Sequence, residues 1–161
     1  DLITLYQQFN TFNIEVSWFG DFSNVLFSLV EAVNILDQIK LNIFSETSLI
    51  ESNNWNFGKK IKIYDKVDHK VISRSNCIMT DVFISMNDEN DENKLLKLKD
   101  FQVNRELIQN TNNDCVFMHC LPAKIGMEVT KEVIEGSKSI VWKQAKNRLI
   151  AQERLMKCIN W

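Results

Sequence analysis

Apolar and polar positions switch between two periods along this chain. Leu2, Leu5, Tyr6 and Phe9 fall on one helical face, which predicts an amphipathic helix over 1–9. Residues 14–19 read as a strand that stops at Gly20-Asp21. Residues 25–35 return to helical spacing, with Ser23 or Asn24 as the N-cap. Strand, turn and helix together open a βαβ unit. Residues 41–44 predict a second strand, 46–55 an ambiguous stretch with room for a short helix, and 60–64 an edge strand of alternating charged and apolar residues. No period is legible over 67–77.

Residues 78–86 are strand-like, with Asp81 inside the apolar run. Strand alternation puts Asp81 and Ser85 on one face, where a buried carboxylate needs a partner. In the other reading the strand starts after Asp81, which then caps or sits at the surface. An acidic, Asn-rich loop at 87–93 leads to a helix over 94–99. An extended piece at 101–103 precedes a capped helix, and 111–114 turn into a strand at 115–118. A short helix over 129–135 closes at Gly136. Residues 139–142 are extended, and a C-terminal helix follows over 144–159, with Ala145, Leu149, Leu155 and Ile159 among its apolar positions. Alternating strands and helices give an α/β single domain with a doubly wound, mainly parallel, Rossmann-like sheet flanked by helices.

Composition adds mostly exclusions. With 161 residues, 45% of them hydrophobic, the chain can build one real core. A net charge of −2 gives no electrostatic case for nucleic acid, and no apolar run is long enough to span a membrane. The four cysteines form no CxxC pair and there are only two histidines, so no metal site and no disulfide framework is expected. Free thiols fit a cytoplasmic location. Gly20 is followed by Phe22, Ser23 and Asn24, which is not the GxGxxG fingerprint, so no nicotinamide cofactor is expected.

The candidate chemistry sits where the strand at 115–118 runs into His119-Cys120-Leu121-Pro122. The chain's only proline must end that strand. Ligands collect at the carboxyl ends of strands in open α/β sheets. A cysteine after a strand is often a small buried hydrophobe, whereas a neighbouring imidazolium would lower its pKa and make it reactive. Arg148, in the first turns of the last helix, is either a surface arginine or a partner of the local amides in holding an oxyanion.

Four segments resemble one family in order. Trp18-Phe19-Gly20-Asp21-Phe22-Ser23-Asn24 is similar to the Trp-x-Gly-Asp-x-x-Asn segment of ornithine carbamoyltransferases. Asp81-Val82-Phe83-Ile84-Ser85-Met86 resembles their Asp-x-x-x-Ser-Met segment, and His119 to Pro122 matches their His-Cys-Leu-Pro loop. Ala145-Lys146-Asn147-Arg148 stands where their Ala-Glu-Asn-Arg belongs. The cysteine discriminates, because the related aspartate enzymes have His-Pro-Leu-Pro there.

The resemblance implies transfer of a carbamoyl group from carbamoyl phosphate to L-ornithine, giving citrulline and phosphate, as in arginine biosynthesis. It implies that Asn24, Asp81, Ser85 and the backbone of Met86 hold the amino-acid end of ornithine. Asp81 and Cys120 would act catalytically on the attacking amine, with a thiolate beside the amine as a sensible arrangement. The carbonyls of Cys120 and Leu121 would accept from the carbamoyl amide, and Arg148 would hold the carbamoyl phosphate oxygen. No cofactor is implied. The resemblance divides the chain into an interdomain helix remnant (1–10), an ornithine-binding domain (11–142) and a C-terminal helix (143–161). The N-terminal carbamoyl phosphate domain is missing from the sequence, so the isolated chain is expected to turn over nothing. The family is trimeric, which implies a homotrimer. Putrescine or acetylornithine as acceptor, and a non-catalytic amino-acid-binding module, are the alternatives. Two departures stand out. Asn87 replaces the family's Gly after Ser-Met, and Lys146 reverses the family's Glu.

Overall fold

The computed structural model describes residues 1–50, 55–84 and 92–159. Five strands form one parallel sheet: β1 (Glu15–Phe19), β2 (Lys40–Phe44), β3 (Ile61–Tyr64), β4 (Cys77–Thr80) and β5 (Val116–His119), in the order β3-β2-β1-β4-β5. The helices are α1 (Leu2–Phe9), α2 (Asn24–Leu36), α3 (His69–Ile72), α4 (Glu92–Leu98), α5 (Arg105–Gln109), α6 (Lys131–Ile134) and α7 (Val141–Cys158). The expected doubly wound α/β architecture is what folds.

Strand alternation sorts the core into two layers. Val16, Trp18, Leu41, Ile43, Met79 and Met118 face one side, where α1 and α2 pack. Phe19, Phe44, Ile78 and Phe117 face the other, with side chains from α3 to α7. Both faces are covered, so most strand positions are buried and the strands read as near-continuous apolar runs. β3 lies at one edge of the sheet, as its mixed pattern predicts.

Several local expectations shift. β4 ends at Thr80, so Asp81 is neither inside a strand nor ahead of one; it follows the strand's carboxyl end. Alternation therefore no longer pairs it with Ser85. The stretch at 67–77 contains the short helix α3, capped by Asp68, too brief to show a period. Of the ambiguous stretch after β2, a 3₁₀ turn forms over Thr47–Leu49, and residues 51–54 lie outside the described residues, as does most of the acidic loop. Ser23, not Asn24, caps α2, accepting from the Leu26 N–H at 3.4 Å.

The last helix differs most. It begins at Val141 rather than at 144, and its buried residues are Val141, Gln144 and Asn147. The apolar positions Leu149, Leu155 and Ile159 are exposed. Polar contacts dock this helix. Asn147 Nδ2 donates to Thr4 Oγ1 at 3.0 Å and to Gln7 Oε1 at 2.9 Å, and Gln144 Nε2 donates to Asp1 Oδ1 at 2.8 Å.

Gly20 ends β1 with φ of 119°, a left-handed conformation that side chains disfavour. A Cβ there would lie 2.7 Å from Phe83 Cε1, on a ring that is itself buried. Gly20→Ala is expected to destabilise the chain by about 1–3 kcal/mol, read as a lowered urea midpoint.

Candidate functional site

The strand order reverses between β1 and β4. β1 is flanked by β2 on one side and β4 on the other, so the connections leaving their carboxyl ends diverge and open a crevice. Gly20-Asp21 leaves β1 there, Asp81 leaves β4, and Cys120 leaves β5. The register pairs Thr80 with His119, so Asp81 and Cys120 each follow directly on the end of one of two neighbouring strands, and the Asp81 charge reaches Cys120.

Successive strand residues point to opposite faces, and that separates His119 from Cys120. His119 is buried on the Phe117 side. Its Nδ1 accepts from the Leu121 N–H at 2.9 Å, which places the ring proton on Nε2, and Nε2 donates to Glu128 Oε1 at 3.2 Å. Glu128 is fully buried and also accepts from the Lys124 N–H. The His119 N–H donates to Gln144 Oε1 at 2.9 Å. The histidine therefore braces the turn that holds Cys120. Leu121, at φ of 48° and followed by a cis bond to Pro122, is held in that turn.

This corrects the expected activation of the thiol. With Nδ1 occupied as an acceptor, His119 offers Cys120 no imidazolium. Burial pushes the Cys120 thiol up to about 12, and the neighbouring Asp81 charge adds to the push while Arg148 opposes it. A thiol raised that far stays protonated at neutral pH. Burial also pushes the Asp81 carboxyl above the ordinary aspartate range, opposed by a hydrogen bond from the Val82 N–H.

Cys120 packs on the α2 side of the sheet and borders two hollows. The larger, about 740 Å³, runs between α1, α2 and α7, and both Asn24 and Arg148 line it. The second, about 610 Å³, is bordered by Leu121, Trp142 and Arg148 as well as Cys120. Asn24, freed from capping, is exposed at the start of α2. Asp81 lines neither hollow, although its charge reaches Cys120. Arg148 is exposed about two turns into α7, because that helix starts early; the expected partnership with the free amides of its first turn does not form. Ser85, Met86 and Asn87 lie outside the described residues.

Glu128, Gln144 and the ion pair between Asp21 and Lys94 carry no local signal that sequence reasoning picked up. Lys94 Nζ lies 2.6 Å from Asp21 Oδ2. Among the described residues no cluster of His, Cys, Asp and Glu suits a metal ion, and no helix is long and apolar enough to cross a membrane.

Residues 12–159 match the Asp/Orn-binding domain of aspartate/ornithine carbamoyltransferase. The chain belongs to that family. An ornithine carbamoyltransferase of Rhodopseudomonas palustris is 37% identical over 145 residues, covering 88% of this chain and 46% of the relative. The solved structure of ornithine carbamoyltransferase from Thermus thermophilus superposes with a TM-score of 0.84 at 31% identity, over 97% of this chain and 52% of that one. The enzyme from Pyrococcus furiosus gives 0.85 at 30% identity, over 97% and 53%. The chain thus spans about half the length of the carbamoyltransferases it matches.

Proposed function

We propose that this chain is the amino-acid-binding half of an ornithine carbamoyltransferase, which moves a carbamoyl group from carbamoyl phosphate to the side-chain amine of L-ornithine. The observation that carries this reading is that Asp81 and Cys120 follow directly on the paired ends of the neighbouring strands β4 and β5, next to the point where the strand order reverses. In the reaction the amine nitrogen bonds to the carbamoyl carbon, the bond from that carbon to the phosphate oxygen breaks, and the amine gives up a proton.

Asn24, Asp81, Ser85 and the backbone of Met86 hold the amino-acid end. An ammonium brought between Asp81 and Cys120 meets one carboxylate and one thiol, and its positive charge eases ionisation of the thiol. Cys120 therefore acts with substrate present rather than as a standing thiolate. The Cys120 and Leu121 carbonyls take the carbamoyl amide, and Arg148 meets the carbamoyl phosphate oxygen. The whole protein brings a carbamoyl phosphate domain ahead of the 1–10 helix, assembles as a homotrimer, and works in the cytoplasm towards arginine. No cofactor takes part.

Citrulline formation by the full-length protein tests this reading. The Cys120→Ala variant is expected to lose about 10²-fold or more in kcat/KM for ornithine. Putrescine should serve as a poor acceptor. Full activity in the variant, or a preference for putrescine, overturns the assignment.

A further inference from the structure

An aromatic ring stands on either side of Asn24 where α2 begins. Ser23 is the N-cap, so Phe22 comes just before the cap and Phe27 four residues after it. Apolar residues at these two places pack on each other at many helix starts, and the contact fixes the angle at which the chain enters. Here a third ring closes the contact. Phe22 and Phe27 each meet Trp55 edge-on, at centroid separations of 5.4 and 5.3 Å. Trp55 comes from the connection between β2 and β3, and belongs to none of the four segments that resemble the family.

Trp55 is itself held. It stacks on Phe57 at 5.5 Å, and Phe57 meets Phe22 edge-on at 6.5 Å. The Asn56 carbonyl between them accepts from Asn34 Nδ2 of α2 at 2.8 Å. A Cβ at Gly58 would run into Asn34 Oδ1, so this segment lies close on α2. The Trp55 Nε1 is buried without a hydrogen-bond partner among the described residues, so the ring and not the N–H makes the contact. The turn is pinned at its other end by Trp18 Nε1, which donates to the Asp21 carbonyl at 3.1 Å. Asn24 itself is exposed, and with Val25 it lines the larger hollow that Cys120 borders.

We propose that Trp55 is a positioning residue for the amino-acid end of the acceptor: it bridges Phe22 and Phe27 and so fixes the first turn of α2, which presents Asn24 to the larger hollow. This rests on the reading of Asn24 as a ligand of ornithine. Edge-on aromatic pairs contribute beyond the area they bury. Two of them straddle a single polar side chain here, so their loss frees the turn that carries it. Asn24 meets the end of the acceptor that does not react. Misplacing it weakens the hold on substrate and transition state alike, which raises KM and leaves kcat.

The test is made on the full-length protein with carbamoyl phosphate saturating. Trp55→Ala is expected to raise KM for L-ornithine about tenfold, the size of one hydrogen bond to a charged group, with kcat within about twofold of the parent. Trp55→Phe restores most of the parental KM, because it keeps an aromatic ring in place. In an Asn24→Ala background Trp55→Ala changes KM by less than about twofold, since the side chain it positions is gone. Tyr64→Ala, which removes a stacked ring from the edge strand β3, leaves KM at the parental value. A parental KM in Trp55→Ala, an equal rise with and without Asn24, or an equal rise in Tyr64→Ala overturns the inference. If Trp55→Ala does not fold, Phe27→Ala, which breaks one of the two bridging contacts, is judged by the same signs. If the parental protein makes no citrulline, the carbamoyltransferase reading fails by itself. Hydrogen exchange at the Leu26 N–H, which donates to Ser23 Oγ, then decides Trp55. Exchange about tenfold faster in Trp55→Ala supports its hold on the turn, and an unchanged rate overturns it.

Discussion

Asp81→Asn is expected to lower kcat/KM for ornithine by about 10²–10⁴-fold in the full-length protein while leaving the fold at least as stable as before. The two effects have one cause. Burial holds the Asp81 carboxyl above the ordinary aspartate range, so the folded chain disfavours the charged form. Such a group stabilises the fold fully below its unfolded pKa, and that contribution is lost as pH rises through the folded value. At neutral pH the ionised Asp81 therefore works against the fold. A neutral asparagine of similar shape removes that burden and also removes the negative charge that meets the substrate ammonium. Thermal melts at neutral and acid pH check the sign: the variant should match or exceed the parent at neutral pH, and the difference should close as the parent's carboxyl protonates. A variant that melts well below the parent at neutral pH means that Asp81 is a structural residue.

Glu128→Ala should have the largest effect on stability, a loss of about 2–5 kcal/mol. The carboxylate is fully buried and accepts from both the His119 ring and the Lys124 N–H. Its removal leaves two donors without an acceptor in a place closed to water. The damage passes through His119 to the Leu121 N–H, and so to the turn that aims Cys120. Urea unfolding gives the stability. Glu128→Gln, which keeps the volume and one acceptor, should recover most of the loss. A Glu128→Ala variant within about 1 kcal/mol of the parent means that the His119 bracing is not what holds this turn.

These two residues differ sharply in how legible they were. Asp81 stands out because a carboxylate bordering an apolar run needs explaining. Glu128 sits between Met127 and Val129, just ahead of a short helix, and nothing local marks its carboxylate as buried. Cys120 was legible as a strand-end thiol, but its environment was not. Sequence adjacency suggested an imidazolium beside the sulfur, and the pleat sends the two side chains to opposite faces. The last helix misled for a related reason. Its spacing of Leu149, Leu155 and Ile159 reads as a buried stripe, yet the polar side chains it buries are Asn147, bonded to Thr4 and Gln7 of α1, and Gln144, bonded to the N-cap Asp1. Periodicity says that a helix has a face; it does not say which face meets a neighbour.

What the residues dictated unaided were the local matters. Apolar spacing set the kind and order of most elements, Pro122 closed the last strand, Gly20 the first, and Ser23 offered itself as a cap, because each depends on a few neighbouring side chains and on backbone sterics. The fold alone decided which strand ends share a crevice, that His119 turns to Glu128 and away from Cys120, and that Lys94 comes to rest on Asp21. Those meetings join residues far apart in the chain, and they exist only once the crossovers have ordered the sheet.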